Sequence, residues 1–481
     1  MTVRVAEAAA APSFQKAALP LLEDAQLRKN VRHATDVIQR KRAAVVGETA
    51  DWQELRTAAS AIKAHTMRYL DHYLLQFEKA CTAAGGQVHW AADADDANRI
   101  IADLVRQYGG NEVIKIKTMT SDETGLNEAL EREDIHAHET DLAELIIQLG
   151  KDKPSHIVVP ALHKNRNQVR EIFRETMHLP ELGDRPEDLT AAARQYLREK
   201  FLSVKIGVCG ANFLVAETGG VCIVESEGNG RMCLTLPDML ISLAGIEKVI
   251  PAFEDLEVFL QLLPRSATGE RMNPYNSLWT GVHSGDGPRH FHVVLLDNGR
   301  TGILADAEAR PTLHCIRCAA CLNTCPVYRQ TGGHAYGSSY AGPIGAIVTP
   351  QLLDMQHAQS LPYASSLCGA CYEVCPVKIN IPEVLIHLRG RIVREQKIAL
   401  DPEVLVMRTA AAIFTSRARF EAAQRLGRMG QWPLVSNGWF RNLPGLLGNW
   451  TRVRDLRALP KQTFREWWKE RAKKTGTNGH V

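Results

Sequence analysis

Two cysteine-rich stretches constrain this chain more than any other feature of its sequence. The first, CIRCAACLNTCP at 315–326, has the spacing C-x2-C-x2-C-x3-C-P. The second, SSLCGACYEVCP at 365–376, repeats this spacing from its second cysteine onward, and Ser365 stands where the first stretch has Cys315. Closely spaced thiolates on a tight loop each reach a different iron of a cubane, and the proline ends the loop. The spacing therefore predicts two iron–sulfur clusters in one small module.

The ligands of these clusters are predicted to cross between the stretches, because the fourth cysteine of such a motif binds the other cluster in two-cluster ferredoxins. The first cluster then receives Cys315, Cys318, Cys321 and Cys375. The second cluster receives Cys325, Cys368 and Cys371. Each cluster is predicted to be of the [4Fe–4S] type.

The fourth ligand of the second cluster stays open. A Ser365 alkoxide, a water molecule or a distant side chain would complete a four-iron cluster, and a three-iron cluster would need none. Iron prefers thiolate to a neutral hydroxyl, so Ser365 is a weak candidate unless it loses its proton. Otherwise Ser365 only packs or caps a helix.

A zinc site is the alternative for the cysteines. Zinc takes four ligands, commonly as pairs of C-x2-C, and seven cysteines in triplet spacing fit that pattern poorly. Seven of the eleven cysteines crowd into 315–375, which indicates metal in a reducing compartment and not a disulfide framework. The remaining cysteines are predicted to be small buried residues, namely Cys81, Cys209, Cys222 and Cys233.

Length and composition are those of a globular protein with several domains. The chain has 481 residues, 45% hydrophobic and 23% charged, with a formal net charge of +3 that does not by itself imply nucleic-acid binding. No apolar run reaches the roughly 18 residues of a membrane-spanning helix. Glu7 and Pro12 interrupt any signal-peptide core, so we expect a cytoplasmic protein.

Strand-like and helix-like segments alternate between about residues 70 and 300. The predicted strands are 87–91, 112–118, 135–141, 155–162, 212–218, 221–227, 248–253 and 291–297, and the predicted helices are 95–109 and 125–133. Such alternation is typical of a mostly parallel sheet covered by helices. A helical pattern precedes it at about 50–85, with an apolar stripe of Leu55, Ala58, Ile62, Met67, Leu70 and Leu74.

Two glycine-rich turns in this region, AETGG at 216–220 and SEGNG at 226–230, follow predicted strands. Their amides could cradle an anion with help from Lys117, Thr118 and Ser121, but tight turns that need positive φ explain the glycines more simply. Glu217 and Glu225 would form a working carboxylate pair or, as we favour, lie at opposite ends of a hairpin.

Several histidines invite a metal-binding interpretation that their spacing does not support. They are His136, His138, His156 and His163, and the same holds for Arg289, His290 and His292.

The C-terminal tail differs in composition from the rest of the chain. Residues 401–481 carry 15 Arg and Lys against 6 Asp and Glu, and five of the eight tryptophans. Arg and Trp are enriched at interface hot spots, and the same mixture suits an anionic membrane surface. The simpler interpretation is a solvated face with a few core tryptophans.

Taken together, the motifs resemble those of the lactate utilization protein B family. The resemblance is carried by MTSDETGLNEALE, HIVVPALHKNR, GANFLVAETGG, EGNGRMCLTLPDML, HCIRCAACLNTCPVYR, GGHAYGSSYAGPIGAIVTP, SLCGACYEVCPVKINIPE and NLPGLLGNWTRVRDLRALPKQTFREWW. It spans about residues 50–475 and places the family's seven cluster ligands on the seven cysteines named above.

The resemblance implies an α/β domain similar to isomerases and CoA-transferases, then an α-helical two-cluster ferredoxin-like module and a helical C-terminal region. The expected domains are an N-terminal helical region at 1–69, a lactate-utilization α/β domain at 70–300, a 4Fe–4S ferredoxin-type domain at 301–395 and a basic Trp-rich domain at 396–481.

The resemblance also implies an electron-transfer subunit of a cytoplasmic complex that oxidises L-lactate to pyruvate and supports growth on lactate. Its partners would be two other lactate utilization proteins, one with cysteine-rich repeats and one with a second α/β domain. Two other functions stay open: an isomerase- or transferase-like α/β enzyme with regulatory clusters, and a redox sensor that binds nucleic acid. No G-x-G-x-x-G fingerprint is present, so a nicotinamide or flavin on this chain is not supported.

Overall fold

The structure is a computed structural model that describes residues 12–353, 355–395, 402–445, 448–451 and 454–475. The chain divides into two compact units, Met1–Glu395 and Gln396–Val481. Within the described ranges, no helix combines the length and the apolar character that crossing a membrane requires.

The first unit begins with four helices. They are α1 (Phe14–Glu23), α2 (Ala25–Gly47), α3 (Trp52–Arg68) and α4 (Leu70–Ala83). The predicted helical stretch at 50–85 is therefore two helices, because Tyr69 leaves the helical conformation with φ −122° and ψ 37°. Asp24 caps α2 by accepting the Leu27 amide at 2.8 Å.

The predicted apolar stripe is buried in its second half, at Met67, Leu70 and Leu74. In its first half, Leu55, Ala58 and Ile62 are only partly buried, whereas Arg56 and Lys63 are buried at 7% and 2% exposure. Two basic side chains thus lie on the buried face of α3.

Ten strands follow in the first unit. They are β1 (Gln87–Ala91), β2 (Glu112–Lys115), β3 (His136–Glu139), β4 (Ile206–Cys209), β5 (Phe213–Val215), β6 (Gly220–Glu225), β7 (Met239–Gly245), β8 (Val249–Ile250), β9 (Tyr275–Trp279) and β10 (His290–Leu296). The accompanying helices are α5 (Ala94–Gln107), α6 (Met119–Thr124), α7 (Leu126–Glu131), α8 (Leu142–Leu149), α9 (Arg166–Thr176), α10 (Pro186–Ser203), α11 (Asn229–Thr235), α12 (Asp255–Ala267) and α13 (Arg300–Ala305), with a 3₁₀ turn at Ile246–Lys248.

A six-stranded parallel sheet has the order β1-β10-β7-β4-β2-β3. Strand β7 is buried along its whole length and pairs with β10 from Met239–His290 to Gly245–Leu296. Strands β4, β7 and β9 are absent from the strands predicted above. An apolar run without alternation is what a central parallel strand shows, and the same run suits a buried helix.

A second sheet has the order β8-β5-β6-β9, so the predicted α/β region holds two sheets and not one. Strands β5 and β6 form an antiparallel hairpin, and β9 adds antiparallel to β6.

The predicted strand at 155–162 is wrong. The segment folds back on itself, with the Ser155 amide donating to the Pro160 carbonyl at 3.0 Å. The Val158 amide donates to His156 Nδ1 at 3.0 Å. A side-chain acceptor so close in sequence competes with ladder pairing, and the apolar pattern does not reveal it.

The cysteine-rich module completes the first unit. It consists of α14 (Ala320–Thr324), α15 (Tyr328–Thr331), α16 (Gly342–Leu352), α17 (Ala370–Val374) and α18 (Ile381–Glu395), with 3₁₀ turns at Arg310–His314, His334–Tyr336 and Leu361–Tyr363. Helix α2 packs against α14 and α15. One apolar core runs from α1 and α2 through the second sheet into this module, so the cysteines are held by the N-terminal helices and the second sheet as well as by the module itself.

The second unit is described by itself. It contains α19 (Pro402–Phe414), α20 (Arg417–Gly430), a 3₁₀ turn at Trp432–Leu434, β11 (Val435–Ser436), β12 (Trp439–Phe440), α21 (Gly448–Thr451), β13 (Leu456–Arg457) and α22 (Phe464–Thr475). The three short strands form an antiparallel sheet. Helix α20 buries none of its side chains, and Trp432 is 86% exposed.

Candidate metal centre

Each cysteine stretch forms a loop that turns directly into a short helix. Residues in the left-handed region precede both helices, Ala319 at φ 60° before α14 and Gly369 at φ 84° before α17. The two helices pack against each other, which brings the two stretches together from separate parts of the chain.

The first group of thiols contains the four cysteines predicted for the first cluster. Burial, followed by the charges of Cys315, Cys318, Cys371 and Cys375, raises the pKa of Cys321. Burial, with smaller contributions from Cys375 and Cys315, raises the pKa of Cys318 to about 12. Cys375 from the second stretch therefore lies among the cysteines of the first.

The second group contains the three cysteines predicted for the second cluster. Burial, then the charges of Cys325 and Cys368, raises the pKa of Cys371 to about 12. Cys325 is buried, whereas Cys368 is exposed. Since Cys321 of the first group neighbours Cys371 of the second, the two groups adjoin.

The spacing of the thiols fits clusters and not a single ion. Among the described residues, the only three potential ligands whose atoms all lie within 4.8 Å of one another are Asp152, His163 and His334, so no three thiols come that close. A tetrahedral zinc ion, with Zn–S of about 2.3 Å, would hold its sulfurs roughly 3.8 Å apart. A cubane holds its thiolates farther apart because each binds a different iron.

Buried donors without a partner surround the same cysteines. Arg42 Nε, Arg317 Nη1, Asn323 Nδ2 and Tyr336 Oη are buried and have no hydrogen-bond acceptor in the described structure. Buried polar groups are rarely left unpaired, and cluster sulfurs accept hydrogen bonds. These residues therefore fit a pair of iron–sulfur clusters.

Two arginines from the N-terminal helices reach the first group. Arg56 Nε donates to the Cys375 carbonyl at 2.9 Å, and Arg42 Nη2 donates to the Val374 carbonyl at 3.1 Å. Burial lowers the pKa of Arg42, while Cys318 opposes that shift. Both guanidinium groups thus place positive charge beside the first group of thiols.

A buried ion network also adjoins the first group, through Arg317. Arg317, within the first stretch, stacks on the Tyr340 ring at 4.4 Å and lies 3.4 Å from Glu247 Oε1. Arg300 contacts Glu247 at 2.5 Å and Glu123 at 2.8 Å. Burial would raise the pKa of Glu247, but Arg300, Arg317 and a neighbouring lysine lower it to about 2.

Lys63 and Lys248 add two buried amines to this ion network. Burial lowers the pKa of Lys63 to about 7 and that of Lys248 to about 8, with Cys315 among the groups that oppose the shifts. Lys63 Nζ donates to the Glu247 carbonyl. The largest contributions to the raised pKa values of Cys325 and Cys371 come from burial, backbone amides and neighbouring thiols.

Sequence reasoning did not find these basic residues. In α3, Arg56 and Lys63 share one helical face with Trp52. The sequence alone does not show that this face is buried, because the segments that cover it lie far away in the chain.

The predicted histidines do not gather into a site. His138 Nε2 bonds to Glu112, and His156 Nε2 bonds to Asn323 Oδ1 at 3.1 Å, two residues from Cys321 and from Cys325. His163 lies beside Asp152, whose carboxylate already pairs with Lys164.

Arg289, His290 and His292 also do not form a common site. His292 bonds to His89 at 3.1 Å, and the ring of His290 packs edge-on against Tyr108. The Arg289 amide donates to the Asp238 carbonyl at 2.8 Å.

The glycine-rich turns are structural. The Glu225 carboxylate accepts the Gly230 amide at 2.7 Å and the Arg231 amide at 2.5 Å, so the amides of the second turn bind the chain's own side chain, in line with the favoured tight-turn interpretation. Glu217 accepts the Phe253 amide at 2.9 Å, which confirms that the two glutamates do not form a pair.

The carboxyl ends of β2 and β4 flank the point where the strand order reverses, the usual ligand position in an open parallel sheet. Here Lys117 lies 3.1 Å from Glu144, and burial raises the pKa of Glu144 to about 7. Thr118 packs so closely on Gly210 that no Cβ would fit there. Ser121 Oγ accepts from Lys115 Nζ at 2.8 Å. The adjoining cavity of about 10 Å³ has room for roughly one water molecule.

Three known families match successive parts of the chain. The LUD domain matches residues 74–296, the 4Fe–4S dicluster domain matches 312–379, and the C-terminal domain of lactate utilisation protein B matches 388–473. The second match confirms the prediction of iron–sulfur clusters. A parallel-sheet α/β domain, a dicluster domain and a helical C-terminal region are confirmed as the order of the fold.

Individual proteins give the same result. Lactate utilization protein B of Oceanobacillus iheyensis is 43% identical over 94% of this chain and 95% of that protein. The protein of the same name from Bacillus subtilis is 41% identical over 92% and 93%. A solved structure, a DUF162 family protein from Deinococcus radiodurans, aligns at 12% identity over 47% of this chain and 98% of that one, with a TM-score of 0.27 that carries no argument. On the sequence matches, this chain belongs to the lactate utilization protein B family.

Proposed function

We propose that this chain is the iron–sulfur electron-transfer subunit of a complex that oxidises L-lactate to pyruvate. The observation that carries the proposal is the assembly of seven cysteines into two adjoining groups inside the core of the first unit. The name of its relatives supplies the substrate. Bound clusters would supply one-electron transfer with little rearrangement.

The chain's own residues hold and tune these groups. In this proposal Cys315, Cys318, Cys321 and Cys375 bind the first cluster, and Cys325, Cys368 and Cys371 bind the second. Backbone amides donate to the sulfurs, for example Ile379 N–H to Cys375 Sγ at 3.3 Å, and such bonds stabilise the reduced state. Burial of six of the seven cysteines, wholly or in part, limits water access.

The α/β domain has a supporting role in this proposal. Its 3₁₀ turn at Ile246–Lys248 and its helix α6 supply groups of the buried ion network, and helix α3 of the N-terminal helical region adds Lys63. We also propose that its fold is related to isomerases and CoA-transferases, as the family resemblance implies. An independent catalytic role is not favoured, since the cavity at the strand-order reversal holds roughly one water molecule and not a substrate.

The second unit is the proposed contact with partners. Trp432 is 86% exposed, and Trp467 and Trp468 are 41% and 49% exposed, with Arg471 5.4 Å above the Trp467 ring. Exposed Trp and Arg are typical of protein interfaces. The proposed partners are the other two lactate utilization subunits, a cysteine-rich-repeat protein and a second α/β protein, with an anionic membrane surface as the alternative. A cytoplasmic site suits so many free thiols.

Anaerobic purification followed by iron and sulfide analysis and EPR spectroscopy tests the proposal. We expect about eight irons per chain, and reduction of both clusters by L-lactate only when the partner subunits are present. The control is the same complex assembled with cluster-free chain. Lactate turnover with an artificial acceptor that is unchanged in this control would contradict the electron-transfer role.

A further inference from the structure

The two cysteine stretches share more than their spacing, because their backbones follow the same unusual path. Arg317 has φ 60° and its counterpart Leu367 has φ 55°. Two residues later, Ala319 has φ 60° and Gly369 has φ 84°. Positive φ is rare for residues other than glycine, so this repeated pattern marks one loop geometry built twice.

The side chains that open the two loops make the same hydrogen bond. The Arg317 amide donates to Cys315 Sγ at 3.4 Å, and the Leu367 amide donates to Ser365 Oγ at 3.1 Å. In both cases the donor is the amide two residues later, on a backbone that then turns left-handed. Ser365 Oγ therefore occupies in the second loop the position that Cys315 Sγ occupies in the first.

The partners of that position are also matched. Cys315 lies with the other two cysteines of its own loop and with Cys375, the last cysteine of the opposite loop. By the repeat, the cysteines that correspond to this set in the second loop are Cys368, Cys371 and Cys325, which form the second group of thiols. The first group has four side chains at these positions, and the second has three cysteines and Ser365.

The backbone around Ser365 is fixed by an arginine from α18. Arg389 Nη2 donates to the Ser365 carbonyl at 3.1 Å, and Arg389 Nε donates to the Pro362 carbonyl at 2.9 Å. The guanidinium also lies 5.1 Å from the centre of the Tyr363 ring. Ser365 is only partly exposed, so its hydroxyl is held in place and does not sample the solvent freely.

We propose that Ser365 Oγ is the fourth protein ligand of the second cluster. On binding, the hydroxyl proton leaves to solvent and an oxygen–iron bond forms, without a change of oxidation state. The inference rests on the proposed cluster-binding function and goes beyond it, since the seven cysteines account for only seven of eight iron positions. An oxygen ligand is harder than thiolate and favours the oxidised state, so it lowers the reduction potential of this cluster.

The experiment uses the full-length chain purified without oxygen, with Ser365→Cys and Ser365→Ala compared with the wild type. Iron content, EPR and Mössbauer spectra are measured for each. We expect about eight irons in the wild type and in Ser365→Cys, and about seven in Ser365→Ala with a three-iron EPR signal in the oxidised state. One iron site with distinct Mössbauer parameters should be present in the wild type and absent in Ser365→Cys, whose second cluster should be reduced at higher potential.

Ser366→Ala is the matched control, because this neighbouring serine is exposed and lies outside the repeated hydrogen bond. A second cluster with unchanged spectra and potential in both Ser365 variants would overturn the inference while leaving two clusters in place. A wild type with about seven irons would overturn it as well, by showing a three-iron cluster. A wild type without iron would instead contradict the proposed function itself. If Ser365→Ala does not fold, Ser365→Cys alone still distinguishes these results.

Discussion

The two cysteine groups adjoin, yet their surroundings differ in charge. Arg42, Arg56, Arg317 and Lys248 place four cationic side chains near the first group, and Lys63, whose pKa is lowered to about 7, adds a fifth amine that is only partly protonated near neutral pH. The second group has a neutral donor in Tyr336, one guanidinium in Arg389 that donates to the Ser365 carbonyl, and one exposed cysteine, Cys368. Positive charge stabilises the more negative, reduced form of a cluster. We therefore expect the first cluster to have the higher reduction potential and the second to exchange electrons at the surface.

The contrast requires that each group be a separate cluster with crossed ligands. Replacing Cys375 by Ala should remove the first cluster, although Cys375 lies in the second stretch, and should lower the iron content from about eight to about four per chain. The remaining EPR signal should be that of the second cluster. Cys81→Ala is the control, since Cys81 is equally buried but lies away from both groups. Loss of the second cluster's signal alone would disprove the crossing.

The ion network that includes Arg317 is expected to stabilise the first group of thiols and not the second. Arg300→Met leaves the buried carboxylate of Glu123 without its guanidinium partner and that of Glu247 with Arg317 at 3.4 Å as its remaining arginine, and should lower the free energy of unfolding by about 3–5 kcal/mol. Denaturant titration measures this loss, and EPR should show the first cluster perturbed with the second unchanged. Arg185→Met, which removes an exposed ion pair with Asp188, should cost less than about 1 kcal/mol. Equal losses in the two variants would contradict a structural role for the network.

One contact should affect both groups equally. His156 binds Asn323 between Cys321 and Cys325, and burial lowers its pKa to about 4. Between about pH 6.5 and that value the unfolded chain binds a proton that the folded chain does not. The free energy of unfolding should therefore fall as pH drops through this window, by roughly 3 kcal/mol in full.

His156→Gln should flatten this part of the stability profile, measured by denaturant titration at several pH values. Below the window the acid lability of the two clusters should change together. His136→Gln is the control, since His136 is exposed. If the free energy of unfolding of His156→Gln falls with pH as steeply as that of the wild type, groups other than His156 cause the acid sensitivity.

The smallest expected effect is on the potentials themselves. Arg42→Gln removes one cation from the first group and should lower the potential of that cluster by on the order of tens of millivolts. Tyr336→Phe removes the unpaired donor beside Cys325 and should lower the potential of the second cluster by a smaller amount. Redox titration followed by EPR measures both, with Arg271→Gln, an exposed pair with Glu48, as control. Equal shifts in the reduction potentials of both clusters in either variant would contradict the proposed difference between their surroundings.

Much of the fold followed from local pattern. The strand at 87–91 has the predicted bounds, and the predicted strands at 112–118 and 291–297 and helix at 95–109 differ from the structure by a few residues at their ends. Two elements were mispredicted, for opposite reasons. The segment at 155–162 was predicted to be a strand and is a loop, whereas β7 is a strand that was not predicted. The first carries a strand-like apolar run that His156 folds into a loop, and the second is a central strand whose uniform apolar sequence shows no period.

The sequence by itself determined the iron–sulfur chemistry and predicted that ligands cross between the stretches, because loop spacing is a local property that a few residues encode. It left the fourth ligand of the second cluster undecided, since composition cannot show that Ser365 and Cys315 make the same hydrogen bond. Only the tertiary structure decided which cluster is surrounded by cations. Arg56 and Lys63 look like ordinary surface residues of a helix until segments hundreds of residues away bury them, and their charge matters because that burial removes the water that would screen it.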